Sequence, residues 1–540
     1  MLENEMMYLI LEGGMVLDGS GAPAQRADIG ILDDRICAIG DLSNARASRR
    51  LSLRGCHIAP GFIDIHTHSD ISVLYHPQQM SALGMGVTTQ VVGNCGLALG
   101  LAVNSDKFEF EKRWLAPHGA RINWSNFDEH LTRVESSGTG TNYVPLAGHG
   151  TLRKRVMGQE NRPPSEAEMS DMKALLSDAL EAGAWGLSSG LEYTPGGYAH
   201  TDELIELCTI VRRFSGLYAT HLRNEGDTLV ESVEEALAVA KGAGVPLQLS
   251  HHKAEGEPNW GKTEVTLKLV EQARGEGLDV QMDQYPYNAF MTALSVQTLP
   301  WYAQSGTPEE VAARLSDPVQ RRQIADDMLA AHPEWANTTE SGHWDKVQIG
   351  VCRGRPEMQG KTVLELALVA GKHPIEWVID TLADTGGYVS AVNFAMGAQD
   401  IERVLRYPFT SVGSDGVGAR PDGPGGKDLV HPRAYGTFPR VFKEYVRNQR
   451  ILTEEEAVRR MTSLPASRMG ISDRGTIRIG AYADLVAYDP DTIGDTATFN
   501  VPHQFAQGIK LVVINGTVAL HDSAFTDTLA GRVLRHTGAY

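Results

Sequence analysis

Cysteine is scarce in this chain: five in 540 residues, at Cys37, Cys56, Cys95, Cys208 and Cys352. They are scattered and odd in number, which excludes the closely spaced framework of a disulfide-stapled secreted domain. Basic residues are also in the minority, 49 Lys and Arg against 67 Asp and Glu, for a net charge of −18. No Lys/Arg cluster offsets this, so no nucleic-acid-binding surface is expected. No run of about 18 apolar residues occurs, so no membrane span is expected. The opening Met1-Leu2-Glu3-Asn4-Glu5 has neither the basic start nor the apolar stretch of a secretory signal. These absences make a cytoplasmic globular protein the expectation.

What is there is an alternation of strand-like and helix-like segments. The first ~55 residues read as short strands (Met7–Gly13, Ala27–Leu32, Arg35–Ile39, Arg50–Leu53) separated by turn signals at Gly19-Ser20-Gly21 and Asp33-Asp34. The far end is similar, with β-like runs at Gly475–Ile479, Asp484–Tyr488 and Ile509–Ile514. Between them stand eight apolar or β-branched runs: Ile58–Ile65, Val87–Val92, Tyr143–Ala147, Gly186–Ser189, Gly216–Thr220, Val245–Ser250, Asp279–Asp283 and Phe409–Val412. Helical patterns separate them. Pro163-Pro164-Ser165 precedes an apolar stripe at Met172, Leu176 and Leu180, and Thr228-x-x-Glu231 reads as a capping box. Eight strand–helix units imply an α/β fold, a (β/α)₈ barrel.

The expected organisation is a small β-sandwich domain from residues 1–57 plus 475–540, around a barrel over 58–474. The stretch between Asp283 and Phe409 is several times longer than that between His221 and His251. It is therefore an insertion, about 288–400, with its own helical patterns such as Pro308–Ala331. Barrel sites lie at the strand C-terminal ends. The insertion is either an active-site lid or a packing subdomain away from the site.

The strand ends carry the chemistry. The first ends in Asp64-Ile65-His66-Thr67-His68, where residues two apart in a strand project to one side. The second ends in Gly93-Asn94-Cys95-Gly96, whose glycines let the backbone turn and present the thiol. The fifth ends in His221, the sixth in His251-His252-Lys253, and the eighth leads into Gly413-Ser414-Asp415-Gly416. Singly, each reads as well as a polar strand cap or a buried thiol. Together, His66, His68, Cys95, His221, His251 and Asp415 are a metal-ligand set with a carboxylate beside it. A thiolate favours zinc over magnesium or calcium. A metal that activates water, beside a carboxylate that moves a proton, implies hydrolysis of an amide or related C–N bond.

With those residues in view, the chain resembles the amidohydrolase superfamily, through Gly61-Phe62-Ile63-Asp64-x-His66-x-His68-x-Asp70. More narrowly it is similar to the N-acyl-D-amino-acid deacylases. Their motifs stand here as Gly93-Asn94-Cys95-Gly96, Tyr218-Ala219-Thr220-His221, Ser250-His251-His252-Lys253, Tyr285-Pro286-Tyr287, Gly413-Ser414-Asp415-Gly416 and His431-Pro432-Arg433-x-Tyr435-Gly436-Thr437-Phe438. The resemblance covers nearly the whole chain. It implies a tight Zn²⁺ held by Cys95, His221 and His251, and a weaker second metal at His66 and His68 sharing Cys95. It implies Asp415 as general base and then acid. It implies an N-acyl amino acid as substrate, its α-carboxylate held by Lys253, Tyr285 and Arg433, with Tyr193 near the carbonyl. Met396 is a candidate for the side-chain pocket, with a core methionine as the alternative.

The sequence departs from many amidohydrolases where strand four ends in Ser188-Ser189-Gly190-Leu191-Glu192, without the metal-bridging lysine; Cys95 fits as its substitute. Asn393 and the Arg420–Leu429 loop leave side-chain preference open. Two other readings remain at this stage: hydrolysis of a cyclic or otherwise unusual amide by the same machinery, and a metal-binding protein without catalysis.

Overall fold

A computed structural model describes residues 6–330, 342–352, 354–423 and 425–538. Eight strands form the central ring: β1 (Phe62–Asp64), β2 (Val87–Val92), β3 (Asn142–Pro145, resuming at Ala147–Gly148), β4 (Gly186–Gly190), β5 (Leu217–His221), β6 (Leu247–Leu249), β7 (Val280–Gln284) and β8 (Thr410–Val412). All pair in parallel, in chain order. The ring closes between β8 and β1, where Thr67 bridges Gly416 and the Asp415 N–H donates to the His66 carbonyl at 2.8 Å. Every residue of β2 is buried, as expected of a parallel strand covered on both faces.

Register delivers the functional side chains. Gly190 at the end of β4 pairs with His221 at the end of β5, and Asp283 in β7 pairs with Ser411 in β8. Each chemistry-bearing side chain thus leaves the ring at the same rim. β1 stops two residues before His66, earlier than expected. Ile65 and His66 bend away from it, and the β8–β1 closure holds the segment at the rim through the Thr67–Gly416 bridge.

The outer helices begin as their sequences dictate in one case and not in another. Ser165 caps Glu166–Glu181 in a full capping box with Glu168. Thr228 does sit at the cap of Leu229–Ala243, but its side chain caps nothing. Asn224 orders the turn before the helix instead: its side-chain oxygen accepts from the backbone N–H groups of Gly226 and Thr228.

The terminal strands join in one nine-stranded sheet, with His57–Pro60 paired to Leu485–Tyr488 as the seam between N- and C-terminal parts. Leu9, Leu11, Ile29, Ile31, Ile58, Leu485 and Val513 give this sheet a core of its own. The expected Gly475–Ile479 strand is not one. Gly475 has a left-handed φ of 79° there, and Ile477 donates to the Asp18 carbonyl at 2.9 Å. The chain's last described stretch leaves the sheet and straps the barrel: Val533 bridges Tyr143, and the Trp185 indole donates to the Leu534 carbonyl at 2.6 Å.

Between β7 and β8 the chain builds an antiparallel sheet of Phe290–Ala293, Val389–Asn393 and Val347–Cys352, with helices over a separate core of Leu294, Trp344, Ile349, Trp377 and Leu382. The helical stretch expected at Pro308–Ala331 is two helices, Pro308–Ser316 and Pro318–Asp327; Asp317 caps the second, and Pro318 has no N–H to continue the first. Ala331 lies outside the described residues. Helix Ala398–Arg406 packs against Lys262–Gly275 of the barrel ring, not into the insertion. The insertion rests on loops at the functional rim. Tyr388 stacks on Phe110 at 4.7 Å, Glu309 pairs with Arg113, and the Trp301 indole donates to the Glu192 carbonyl at 3.1 Å.

Phe62 is fully buried and stacks at 5.6 Å on Phe438, linking the ring to a helix after β8. Phe62→Ala should cost about 3–5 kcal/mol in chemical denaturation followed by barrel fluorescence. A cost under about 1 kcal/mol would show that this contact does not hold the closure.

Candidate metal centre

At the rim, His66, Cys95, His251 and Asp415 place one ligand atom each within 4.8 Å of one another, and His221, Glu225 and His251 do the same beside them. Cys95 Sγ lies 3.3 Å from His66 Nε2 and 3.4 Å from His251 Nε2. His251 Nε2 lies 2.9 Å from His221 Nδ1. Asp415 Oδ1 lies 3.6 Å from His66 Nε2 and 3.2 Å from His68 Nε2. His251 is therefore the residue common to both groups. His68 reaches the cluster through Asp415.

Three of these residues hold the backbone in a conformation that side chains resist. Cys95 (φ 54°), His251 (φ 33°) and Asp415 (φ 50°) are all in the left-handed region. The neighbouring glycines are the sequence's accommodation. At Gly93 (φ 76°) a Cβ would stand 2.5 Å from the Leu146 carbonyl oxygen, and at Gly96 (φ 70°) 2.8 Å from Gly190 N. Strain of this kind persists only where the surroundings over-determine it, and it clusters at functional sites.

The donors fit a borderline-soft divalent metal: one thiol, imidazoles and a carboxylate. Their orientation is fixed from behind by carboxylates, as ligating histidines require. Asp283 Oδ1 stands 3.2 Å from His66 Nδ1 and accepts the His251 N–H at 2.8 Å. Glu225 Oε1 stands 3.2 Å from His251 Nδ1, and Glu192 Oε2 2.6 Å from His221 Nε2. In the absence of a cation, burial raises the Cys95 thiol well above its usual range, and Asp415 and Glu225 add to the shift. Burial likewise lowers His251 to about 3, with Lys253 beside it. Such a set discourages its own charged thiolate until a positive ion offsets the acids.

Asp415 is different. Burial works against its charge, but Arg433, His68, His251 and His66 hold the carboxyl well below the usual range. Arg433 Nη1 contacts its second oxygen at 2.8 Å. Arg433 also lies 4.9 Å over the Tyr285 ring, and Lys253 lies 5.7 Å from the same ring. The Tyr285 hydroxyl is buried with no hydrogen-bond partner. Lys253 is buried and pairs with Glu225; burial opposes its charge and Glu225 overrides that, raising its pKa. The Tyr193 ring lies 4.8 Å from that of His221, tilted at 58°, and its hydroxyl accepts from Thr292 at 3.4 Å. Met396 is buried in an apolar cluster with Tyr285, Tyr287 and Phe290, the setting of a core methionine.

Glu225, Asp283 and Glu192 were not singled out from sequence. Asp283 ends the run Asp279–Asp283 expected from the sequence, so the same positional signal marks it. Glu225 and Glu192 lie beyond their strand ends, where only the folded loops bring them back.

A family model for the amidohydrolase family matches residues 51–520. The chain is 36% identical to a D-aminoacylase of Alcaligenes xylosoxydans xylosoxydans over 99% of both chains. The chain belongs to the amidohydrolase family, in its D-aminoacylase branch. It is also 36% identical to an N-acyl-D-glutamate deacylase of the same organism, over 98% of this chain and 97% of that one. An N-acyl-D-glutamate deacylase structure from Bordetella bronchiseptica, complexed with zinc and a phosphonate mimic of the tetrahedral intermediate, superposes with a TM-score of 0.82 at 33% identity, covering 98% of this chain and 100% of that one.

Cys95→Ala removes the only sulfur from the cluster. The variant should purify with less than half the bound divalent metal of the parent by elemental analysis; full occupancy would remove Cys95 from the ligand set.

Proposed function

We propose that this chain is a zinc-dependent hydrolase of N-acyl-D-amino acids, releasing a D-amino acid and a carboxylic acid. The observation that carries this is Asp415: an ionised carboxylate within reach of Cys95, His66 and His251, with Arg433 on its other oxygen. A structural metal site needs no such base and closes its coordination with protein ligands. The names of the two curated relatives and the zinc in the Bordetella bronchiseptica structure support the metal, the D-hand and the linear amide.

Cys95, His221 and His251 would hold the zinc, with His66 and His68 offering a second, weaker position that shares Cys95, and with Asp415 beside them. When bound, zinc supplies Lewis acidity and a lowered pKa for water. Asp415 accepts the proton of the attacking water, because it is ionised and within hydrogen-bond distance of the cluster. It then returns that proton to the leaving nitrogen. Arg433, Lys253 and Tyr285 receive the α-carboxylate, the two cations offering their charge and Tyr285 its unpartnered hydroxyl. Tyr193 stands over His221 where the scissile carbonyl would lie. This clamp favours a substrate with a free carboxylate over a cyclic amide. The scattered free thiols fit a reducing cytoplasm.

Asp415→Asn should keep its zinc and lose about 10²–10⁴-fold in kcat; undiminished turnover would remove the base role. A panel of N-acetyl-D- and N-acetyl-L-amino acids tests the substrate. Hydrolysis confined to the D series is expected, and equal rates for both hands would overturn the assignment.

A further inference from the structure

His431 stands two residues before Arg433, is 3% exposed and belongs to neither metal cluster. Its Nδ1 accepts the Arg433 backbone N–H at 3.0 Å. Its Nε2 lies 3.0 Å from the Ala289 carbonyl, at the start of the insertion. A carbonyl only accepts, so Nε2 carries the proton and Nδ1 is free to accept. One neutral tautomer satisfies both contacts, and a protonated ring would break the bond to Arg433. Burial holds the ring well below its ordinary pKa, and Arg433 adds to the shift. Tyr287 at 5.1 Å and Phe499 at 5.0 Å, both edge-on, fix its plane.

Arg433 makes the second half of the same joint. Its Nη2 donates to the Met291 carbonyl at 3.2 Å while Nη1 holds Asp415. The entry to the insertion's first strand is thus gripped at two carbonyls, Ala289 just before it and Met291 within it, by a histidine and an arginine two residues apart. An arginine side chain has several rotatable bonds, and holding its backbone and its head group together removes much of that freedom before substrate arrives.

We propose that His431 is a positioning residue for substrate binding. Its neutral ring locks Arg433 to the insertion, so that guanidinium and cover meet the substrate carboxylate as one preorganised unit. This rests on the carboxylate clamp of the proposed function, and it adds a residue that would touch neither metal nor substrate.

The test uses the zinc-loaded full chain, an N-acetyl-D-amino acid that it hydrolyses, and the matching C-terminal carboxamide. The carboxamide keeps the scissile bond and lacks the carboxylate. His431→Ala should raise KM for the acid at least about tenfold, as for loss of a hydrogen bond and its ordering effect. It should leave kcat within about threefold and kcat/KM for the carboxamide little changed. Combined with Arg433→Ala, it should add nothing to the rise in KM, since both act through one group. His431→Asn keeps an acceptor at the Nδ1 position and should retain most discrimination; His431→Gln reaches toward Ala289 but offers Arg433 no such acceptor, and should not. The Asn and Gln pair decides the matter if the Ala variant does not fold. An unchanged KM, equal losses on both substrates, additive losses in the double variant, or Gln outperforming Asn would each overturn the role of His431. A parent enzyme that does not discriminate acid from carboxamide would instead overturn the clamp itself.

Discussion

The backbone bond from the Asp415 N–H to the His66 carbonyl is the constraint on which the site depends. It closes the eighth strand onto the first and brings together segments separated by most of the chain. It sets the base beside the metal-ligand histidines, and the left-handed turn at Asp415 then aims the carboxylate inward. Further down the same seam, the Asp64 carboxylate accepts the backbone N–H groups of Ser414 and His66. The ring and the active centre are in this sense one object: opening the seam would undo both.

Electrostatics divide the rim into two regions. Behind the ligands lie Asp283, Glu225, Glu192 and Glu255, all buried. Burial raises Glu255 well above its ordinary value, with Glu225 adding to the shift. Asp64 is raised to about 7 by its burial, with Ser414 opposing the shift. In front lie Arg433 and Lys253, the buried cations near Asp415 and Tyr285. Lys253 pairs with Glu225 and Arg433 with Asp415, and both lie near the Tyr285 ring, where the proposed substrate carboxylate would sit. An acidic chain of net charge −18 can bind an anion because the relevant field is local and poorly screened at a buried site.

The barrel was legible because parallel strands buried on both faces read as apolar runs, and eight of them recur at helical intervals. Boundaries were less legible. Thr228 carries a capping pattern that its side chain does not use, and Gly475–Ile479 carries a strand pattern with no partner strand to pair with. The insertion was legible as excess length. Its seating through Tyr388 on Phe110 was not, because that stack joins a connection in the insertion to a short helix, Glu109–Leu115, far away in the chain.

By itself the sequence determined the chemistry available: one cysteine between glycines, histidines at strand ends, and an aspartate in a Gly-Ser-Asp-Gly turn. Local backbone preference and strand periodicity suffice for that, since each signal spans only a few residues. Tertiary structure alone decided which side chains work together. It made His251 the residue common to both clusters, brought Glu225 and Glu192 back from their loops, and put His431 between Arg433 and the insertion. Those contacts join residues with no fixed spacing, and ring closure and loop packing set them in three dimensions.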